Sequence, residues 1–216
     1  MKLLTTQPAR VLAVLVCMAV GLSAAVVYDN GGPNTSNGYP IAGTSWSADD
    51  FQLASNATIT SVGFYFQDFQ GITGWNQDIT YEFIADSAGT PQGAILASGS
   101  GQNLSAVDSG LPWCCGGGNA WLVTFNLQTP FSATGGTEYW LELTGASGST
   151  SSFWWVTANP NSSAHGAWYS GGSGGELAFY LSGSSGSGVP EPATLALCGA
   201  ALIGLAAMRR RACAGH

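Results

Sequence analysis

Apolar and polar residues alternate along much of this 216-residue chain, and alternation with a period of two predicts β-strands. The clearest runs cover residues 57–66, 78–85, 120–127 and 138–143. Shorter runs, at 51–53, 95–97, 153–156, 167–169 and 177–181, predict further strands. Glycine and proline turn signals separate the runs, and none has sustained helical periodicity. We therefore predict an all-β domain at residues 26–182, folded as a β-sandwich that is jelly-roll-like.

Two runs also indicate which side chains face the core. In the run at 138–143, one face carries Tyr139, Leu141 and Leu143 and the other carries Glu138, Trp140 and Glu142. In the run at 57–66, Ile59 and Val62 are three positions apart, so we expect the apolar face to switch between them.

The two ends of the chain depart from this pattern, because each has a continuous apolar run beside basic residues. At the N-terminus, Lys2 and Arg10 accompany an apolar run at 11–22, and small residues follow at 23–25. This order is typical of a secretory signal peptide. We expect residues 1–25 to direct export through the Sec translocon, with signal peptidase cutting after Ala25. The apolar run is about a dozen residues, too short for a spanning helix of about 20.

The C-terminal end has three parts in a fixed order. A Gly/Ser linker at 183–188 leads to Val189, Pro190, Glu191 and Pro192. An apolar run at 193–208 follows, and then Arg209, Arg210 and Arg211, with a short tail at 212–216. The run is at the short end of the range for a transmembrane helix. The arginines would remain cytoplasmic, which places the rest of the chain outside.

This order of motif, apolar segment and arginine cluster resembles the PEP-CTERM sorting signal of Gram-negative bacteria. The resemblance implies recognition at 189–211 by an exosortase-type membrane protease that cleaves near the Pro-Glu-Pro motif. It implies export through the inner membrane, transient anchoring by the C-terminal helix, and then a place at the cell surface or in the extracellular matrix. It also implies a link to biofilm or exopolysaccharide.

The middle of the chain resembles, more loosely, an all-β ectodomain that recurs with such tails. The matching pieces are 49–53 before 59–62, then 83–93, then 136–141. The resemblance supports the fold and implies no activity.

The charge of the exported domain excludes one large class of functions. All five Lys and Arg residues of the chain lie in the two terminal segments, whereas all of its 12 acidic residues except Glu191 lie between them. The domain therefore has a net charge of about −11 and nothing to neutralise phosphate, which excludes nucleic acid as a partner.

Acidic, oxygen-rich segments are candidate calcium ligands. Asp29 precedes Asn30 and two glycines, and Asp49 is adjacent to Asp50. A hard cation would relieve repulsion in a domain without basic residues. Solvated turns are the alternative, since the spacing does not match an EF-hand.

The exported domain retains two of the chain's five cysteines, the neighbours Cys114 and Cys115. An oxidising compartment permits a vicinal disulfide. Free or intermolecularly paired thiols are the alternative, and two adjacent thiolates lack the spacing of a zinc site.

Tryptophan is abundant, and all eight tryptophans lie in the exported domain. Flat aromatic rings suit sugar faces, although tryptophan also fills cores. The candidates for a glycan-binding surface are Trp75 and Trp113 in loops, Trp140 opposite its strand's apolar face, and the neighbours Trp154 and Trp155. If the last two lie in a strand, they point to opposite faces, so one of them faces outward.

No catalytic constellation is visible. The domain has a single histidine, His165, and no serine has the surroundings of a nucleophile elbow. Glu138 and Glu142 share a strand face, which favours solvation over catalysis. We therefore predict a non-enzymatic surface or matrix protein. The alternatives are a carbohydrate-binding module that binds extracellular polysaccharide and, third, a hydrolase.

Overall fold

The all-β prediction is confirmed by a computed structural model, which describes residues 24–68, 72–113, 118–148, 152–159 and 165–185. Within these residues the strands are β1 (Ala25–Asp29), β2 (Pro33–Pro40), β3 (Trp46–Gln52), β4 (Ala57–Asp68), β5 (Thr80–Ala85), β6 (Ile95–Ser100), β7 (Gln102–Pro112), β8 (Asn119–Ala133), β9 (Glu138–Thr144), β10 (Phe153–Ala158), β11 (Trp168–Tyr169), β12 (Gly172–Ser173) and β13 (Phe179–Ser185). A short 3-10 helix, Ile72–Gly74, is the one helical segment in this described part.

The strands form two antiparallel sheets that pack face to face. Sheet I is built around β4, which pairs with β8 along one side and with β13 and then β10 along the other. Strands β1, β2 and β7 complete it by pairing with β13, β10 and β8. Sheet II has the order β12-β11-β3-β9-β5-β6. The arrangement is a β-sandwich, and jelly-roll connectivity stays a prediction.

The core between the sheets is dominated by aromatic side chains. Phe83 stacks on Phe131 with ring centroids 4.4 Å apart, which joins sheet II to sheet I. Phe64 meets Trp155 edge to face at 6.0 Å, and the Trp155 indole N–H donates to Ala178 O at 3.0 Å. Each fully buried aromatic ring contributes about 1.5–3 kcal/mol relative to an exposed one. Because the indole N–H is paired, Trp155 is buried without leaving a polar group unsatisfied.

The structure confirms which side chains face the core in the runs at 138–143 and 57–66. Tyr139, Leu141 and Leu143 lie in the main core, whereas Trp140 lies on the opposite face of β9. Ile59 and Val62 are both in the main core, and the register between β4 and β8 shifts between Ile59 and Ser61. The β-bulge explains how two residues three apart in a strand reach the same face.

The predicted linker begins later than the sequence indicates. Gly183, Ser184 and Ser185 extend β13 and pair with Ile59, Thr58 and Ala57 of β4. A Cβ at Gly183 would lie 2.0 Å from Thr58 O, so the close approach of the two backbones requires glycine here. The prediction of a linker from 183 is therefore wrong by three residues, because a strand held by main-chain bonds needs no apolar alternation.

The terminal predictions concern residues that the structure does not describe. The expected signal peptide lies almost wholly outside the described residues, and the expected helix at 193–208 lies fully outside them. Among the helices of the described ranges, none has both the length and the apolar character needed to cross a bilayer.

Candidate functional site

A buried carboxylate, Asp49, lies where the two sheets meet along one edge of the sandwich. It projects from β3, opposite Leu141 of β9, and is 0% exposed. Asn30 Nδ2 donates to Asp49 Oδ2 at 3.0 Å, the Leu177 N–H donates to the same oxygen, and the Asp50 N–H donates to Oδ1 at 2.9 Å. Burial raises the pKa of Asp49 well above its usual range, and the charge of Glu176 raises it further, although the two backbone hydrogen bonds act against this.

Asn30 connects this carboxylate to sheet I. Its side chain accepts from Tyr28 OH at 2.8 Å and donates to Leu177 O at 2.8 Å, and its own N–H donates to Phe179 O at 2.8 Å. Burial, and then the charge of Asp49, raises the pKa of the Tyr28 phenol, which therefore stays a hydrogen-bond donor. Asn30 is 0% exposed, so its amide is the polar group that links the strands on both sides of this edge.

Two more carboxylates lie beside Asp49. One oxygen from each of Asp49, Asp50 and Glu176 lies within 4.8 Å of the others. Glu176 thus lies beside the predicted pair Asp49 and Asp50, although no pattern in the sequence singles it out. Asp29 is outside this group, and its Oδ1 accepts from the Gly31 N–H at 2.8 Å in a local turn. Three close carboxylates are suitable oxygen ligands for calcium, and calcium binding stays a prediction.

A second acidic pair lies on the outer face of sheet II. Glu82 of β5 is directly opposite Glu142 of β9. Burial, and then the charge of Glu82, raises the pKa of Glu142 from 4.5 to about 7. Like charges placed opposite each other on antiparallel strands are destabilising, so this pair opposes folding when both groups are ionised. Glu138 and Glu142 share this face, as predicted.

Trp140 lies beside these acids under a cover of loop residues. Its indole N–H donates to Asp86 Oδ1 at 3.0 Å, and its ring stacks on His165 with centroids 6.3 Å apart. His165 Nε2 lies 3.2 Å from Glu138 Oε1. Burial favours the neutral form of Asp86, but hydrogen bonds from Trp140 and Gly89 and the charge of His165 outweigh it and hold the pKa of Asp86 below its usual range.

The expected exposure of Trp75, Trp113 and Trp140 is wrong. Their exposed fractions are 5%, 7% and 0%. Trp75 packs on Phe66 at 4.7 Å and donates from its indole N–H to Asp78 O at 2.9 Å. Trp75 is therefore part of the main core between the sheets, whereas Trp113 and Trp140 are buried in two smaller apolar clusters outside it.

The two neighbouring tryptophans of β10 do point to opposite faces. Trp155 is fully buried in the main core, while Trp154 is half-buried and lies opposite Gln67 of β4. The expectation that one of them faces outward is confirmed. Of the five tryptophans expected to form a glycan-binding surface, only Trp154 is more than marginally accessible. The five therefore do not form an exposed aromatic platform.

The remaining predicted residues lie outside the described part of the chain. They are the pair Cys114 and Cys115, and the sorting residues Val189, Pro190, Glu191, Pro192, Arg209, Arg210 and Arg211. The redox state of the two cysteines stays a prediction.

Comparison with known proteins is informative for this terminal segment. No curated protein matches the chain. Residues 188–211 match the family model of the PEP-CTERM protein-sorting motif. The match covers the Pro-Glu-Pro residues, the apolar run and the arginine cluster, and it ends before the tail at 212–216. The chain thus carries a PEP-CTERM sorting motif, which implies export and sorting by an exosortase-type system.

Proposed function

We propose that this chain is a non-enzymatic surface or matrix protein that displays its β-sandwich outside the cell after sorting by an exosortase. The sorting motif at 188–211 carries the proposal, since it follows directly on the sandwich with only a few residues between them. Export begins with the Sec translocon and signal peptidase. Anchoring by the C-terminal segment precedes release to the surface or matrix.

The contacts of the acidic groups support a structural role. Asp49 is held by Asn30 and backbone N–H groups, and Asp86 is held by Trp140 and Gly89. A carboxylate that holds loops and sheets together is constrained by those contacts, whereas a catalytic acid must be free to reach a substrate proton. The acidic surface keeps the displayed domain soluble and repels other polyanions.

Deletion of the sorting motif tests this function. A chain that ends at Gly188 should leave the membrane and surface fractions and accumulate in the soluble exported fraction. The matched control lacks only residues 212–216, which fall outside the motif, and should fractionate as the full chain does. If the chain ending at Gly188 fractionates like the full chain, the sorting role is wrong.

Carbohydrate binding is the second candidate, and Trp154 is the observation that favours it. This indole is half-buried on the outer face of sheet I, opposite Gln67 of β4, whose own side chain is 0% exposed. A partly accessible indole ring suits a sugar, because the ring packs on the C–H groups of the sugar face. A link to biofilm polysaccharide would follow from such a site.

Retention on the producer's extracellular polysaccharide separates the two candidates. Trp154→Ala should abolish retention if the domain binds glycan, while Trp46→Ala should not, since Trp46 is a half-buried indole on sheet II. Equal retention of both variants and the unchanged chain excludes a site at Trp154.

A further inference from the structure

Both terminal segments leave the sandwich from the same end. Strand β1 starts at Ala25, which pairs with Gly183, and β13 ends at Ser185, which pairs with Ala57. The turn at 53–56 and the turn at 134–137 lie at this end too, because Ala57 also pairs with Ala133. We call this the signal-bearing end. The opposite end carries the 3-10 helix and Asn76.

The two turns of the signal-bearing end that join the sheets are uncharged and tightly tied together. They contain no acidic or basic residue. Gly135 N donates to Asn56 Oδ1 at 2.9 Å, and Gly136 N donates to Leu53 O at 2.8 Å. A cavity of about 240 Å³ opens here, lined by alanine, valine, leucine and serine side chains without a charged group. Val26 is 57% exposed beside it.

The broad faces of the sandwich differ from these turns in charge. The outer face of sheet II carries Glu82 and Glu142, which lie opposite each other. Two carboxylates lie at the signal-bearing end, because Ala85 pairs with Tyr139. Glu138 is paired with His165, and Asp86 accepts the indole N–H of Trp140. A bilayer that contains anionic lipid repels carboxylates. The sandwich therefore meets such a surface at lower cost with the uncharged turns of its signal-bearing end than with the face of sheet II.

The length of the connecting segment allows little freedom. From Ser185 to Ala193, where the apolar run begins, the chain spans at most about 29 Å when fully extended. The sandwich is longer than this segment, since β4 has 12 residues and extends for about 36 Å. An anchored chain thus keeps its signal-bearing end near the bilayer.

We infer that, while the chain is anchored, the signal-bearing end abuts the lipid surface and the opposite end points away from it. The contact surface comprises Val26, Ser185 and the turns at 53–56 and 134–137. The inference rests on the proposed function, because it needs the C-terminal segment to be inserted. It adds which surface of the exported domain faces the membrane before sorting is complete.

Photo-crosslinking to lipid tests this orientation in the full chain. A benzophenone amino acid replaces Ser55 at the signal-bearing end in one variant and Asn76 at the opposite end in the other, and both positions are exposed. Each protein is inserted into vesicles of phosphatidylethanolamine and phosphatidylglycerol, floated on a density gradient and irradiated. Lipid adducts are then counted by mass spectrometry. We expect at least a five-fold higher adduct yield from position 55 than from position 76.

The outcomes separate this inference from the function beneath it. If both variants float with the vesicles but give equal adduct yields, or position 76 gives more, the orientation is wrong and anchoring stands. If neither variant floats, although the domain is shown to be folded by its tryptophan fluorescence, the anchored state is wrong and the orientation falls with it.

Discussion

The side-chain amide of Asn30 donates to Asp49 Oδ2 at 3.0 Å, and this bond joins the end of β1 in sheet I to β3 in sheet II. Asn30→Ala would remove the donor from a buried carboxylate and leave Leu177 O without the bond it receives from Asn30. We expect a loss of about 1–3 kcal/mol in the free energy of unfolding. Urea unfolding at pH 7 measures it.

The matched control is Asn126→Ala, at an exposed position of β8. Its free energy of unfolding should stay within about 0.5 kcal/mol of the unchanged chain. Similar unfolding midpoints for both variants would show that the bond between the sheets contributes nothing measurable.

The raised pKa of Glu142 predicts that the domain is more stable in mild acid than at neutral pH. Between its ordinary pKa of 4.5 and about 7, the folded protein keeps a proton at Glu142 that the unfolded chain has lost. Stability therefore falls as pH rises through this window. In Glu142→Gln, the decrease in the free energy of unfolding over this pH range should be smaller by about 1–2 kcal/mol. This value allows for solvent screening of the partly exposed side chain. Urea unfolding at pH 4.5 and pH 7.5 gives the comparison.

Glu82→Gln provides a sharper version of the same test. It removes the like charge opposite Glu142, so the fall in stability should move to lower pH and become smaller. If the two glutamine variants keep the pH profile of the unchanged chain, Glu142 does not titrate as its surroundings imply.

Calcium should raise the melting temperature of the domain at pH 7.5 through Asp49, Asp50 and Glu176. At a concentration 100 times the dissociation constant, binding to the folded state alone adds about 2.7 kcal/mol. The shift should shrink at pH 4.5, where the raised pKa of Asp49 favours the protonated acid over a cation ligand. Differential scanning calorimetry, with calcium or with a chelator, measures both conditions.

Glu176→Gln should lose most of this calcium effect. Asp86→Asn should retain it, because Asp86 belongs to a different cluster, around Trp140. An equal shift in the two variants, or no shift in the unchanged chain, would show that Asp49, Asp50 and Glu176 do not bind calcium.

Trp140→Ala should unfold the domain more readily, rather than remove a binding surface. The indole is 0% exposed, so its loss leaves a cavity and removes one of the hydrogen bonds to Asp86. We expect a cost of about 3–5 kcal/mol. The half-buried Trp154 is the matched position, and Trp154→Ala should cost distinctly less. Guanidinium unfolding of both variants measures the two losses in the free energy of unfolding. A larger loss for Trp154→Ala than for Trp140→Ala would contradict the burial of Trp140.

The sequence predicts the strands that bury apolar side chains and misses those held mainly by backbone bonds. Strand β2, at Pro33–Pro40, reads as a turn-rich segment, and its register to β10 comes from main-chain pairing. Strand β7 pairs with β8 and is largely exposed, so it needs no alternation. Edge strands of this kind carry little signal in the pattern of apolar residues.

The candidate sites show a similar division. The facing of Trp140 on β9 follows from alternation, but its burial depends on Asp86 and His165, which come from loops distant in sequence. Likewise, Asp49 and Asp50 are visible as an acidic pair, whereas Glu176 joins them only when β3 meets the segment before β13. Local pattern predicts which way a side chain points, and tertiary packing decides what covers it.

The pairing of β13 also determines how the domain would bear mechanical load. Ser185, from which the chain leads to its anchor, is the end of a strand bonded to β1 on one side and to β4 on the other. A pull at Ser185 directed away from the sandwich runs parallel to these strands. The interstrand bonds are then sheared together, instead of being opened one at a time. The attachment point thus lies where the sheet resists tension most effectively.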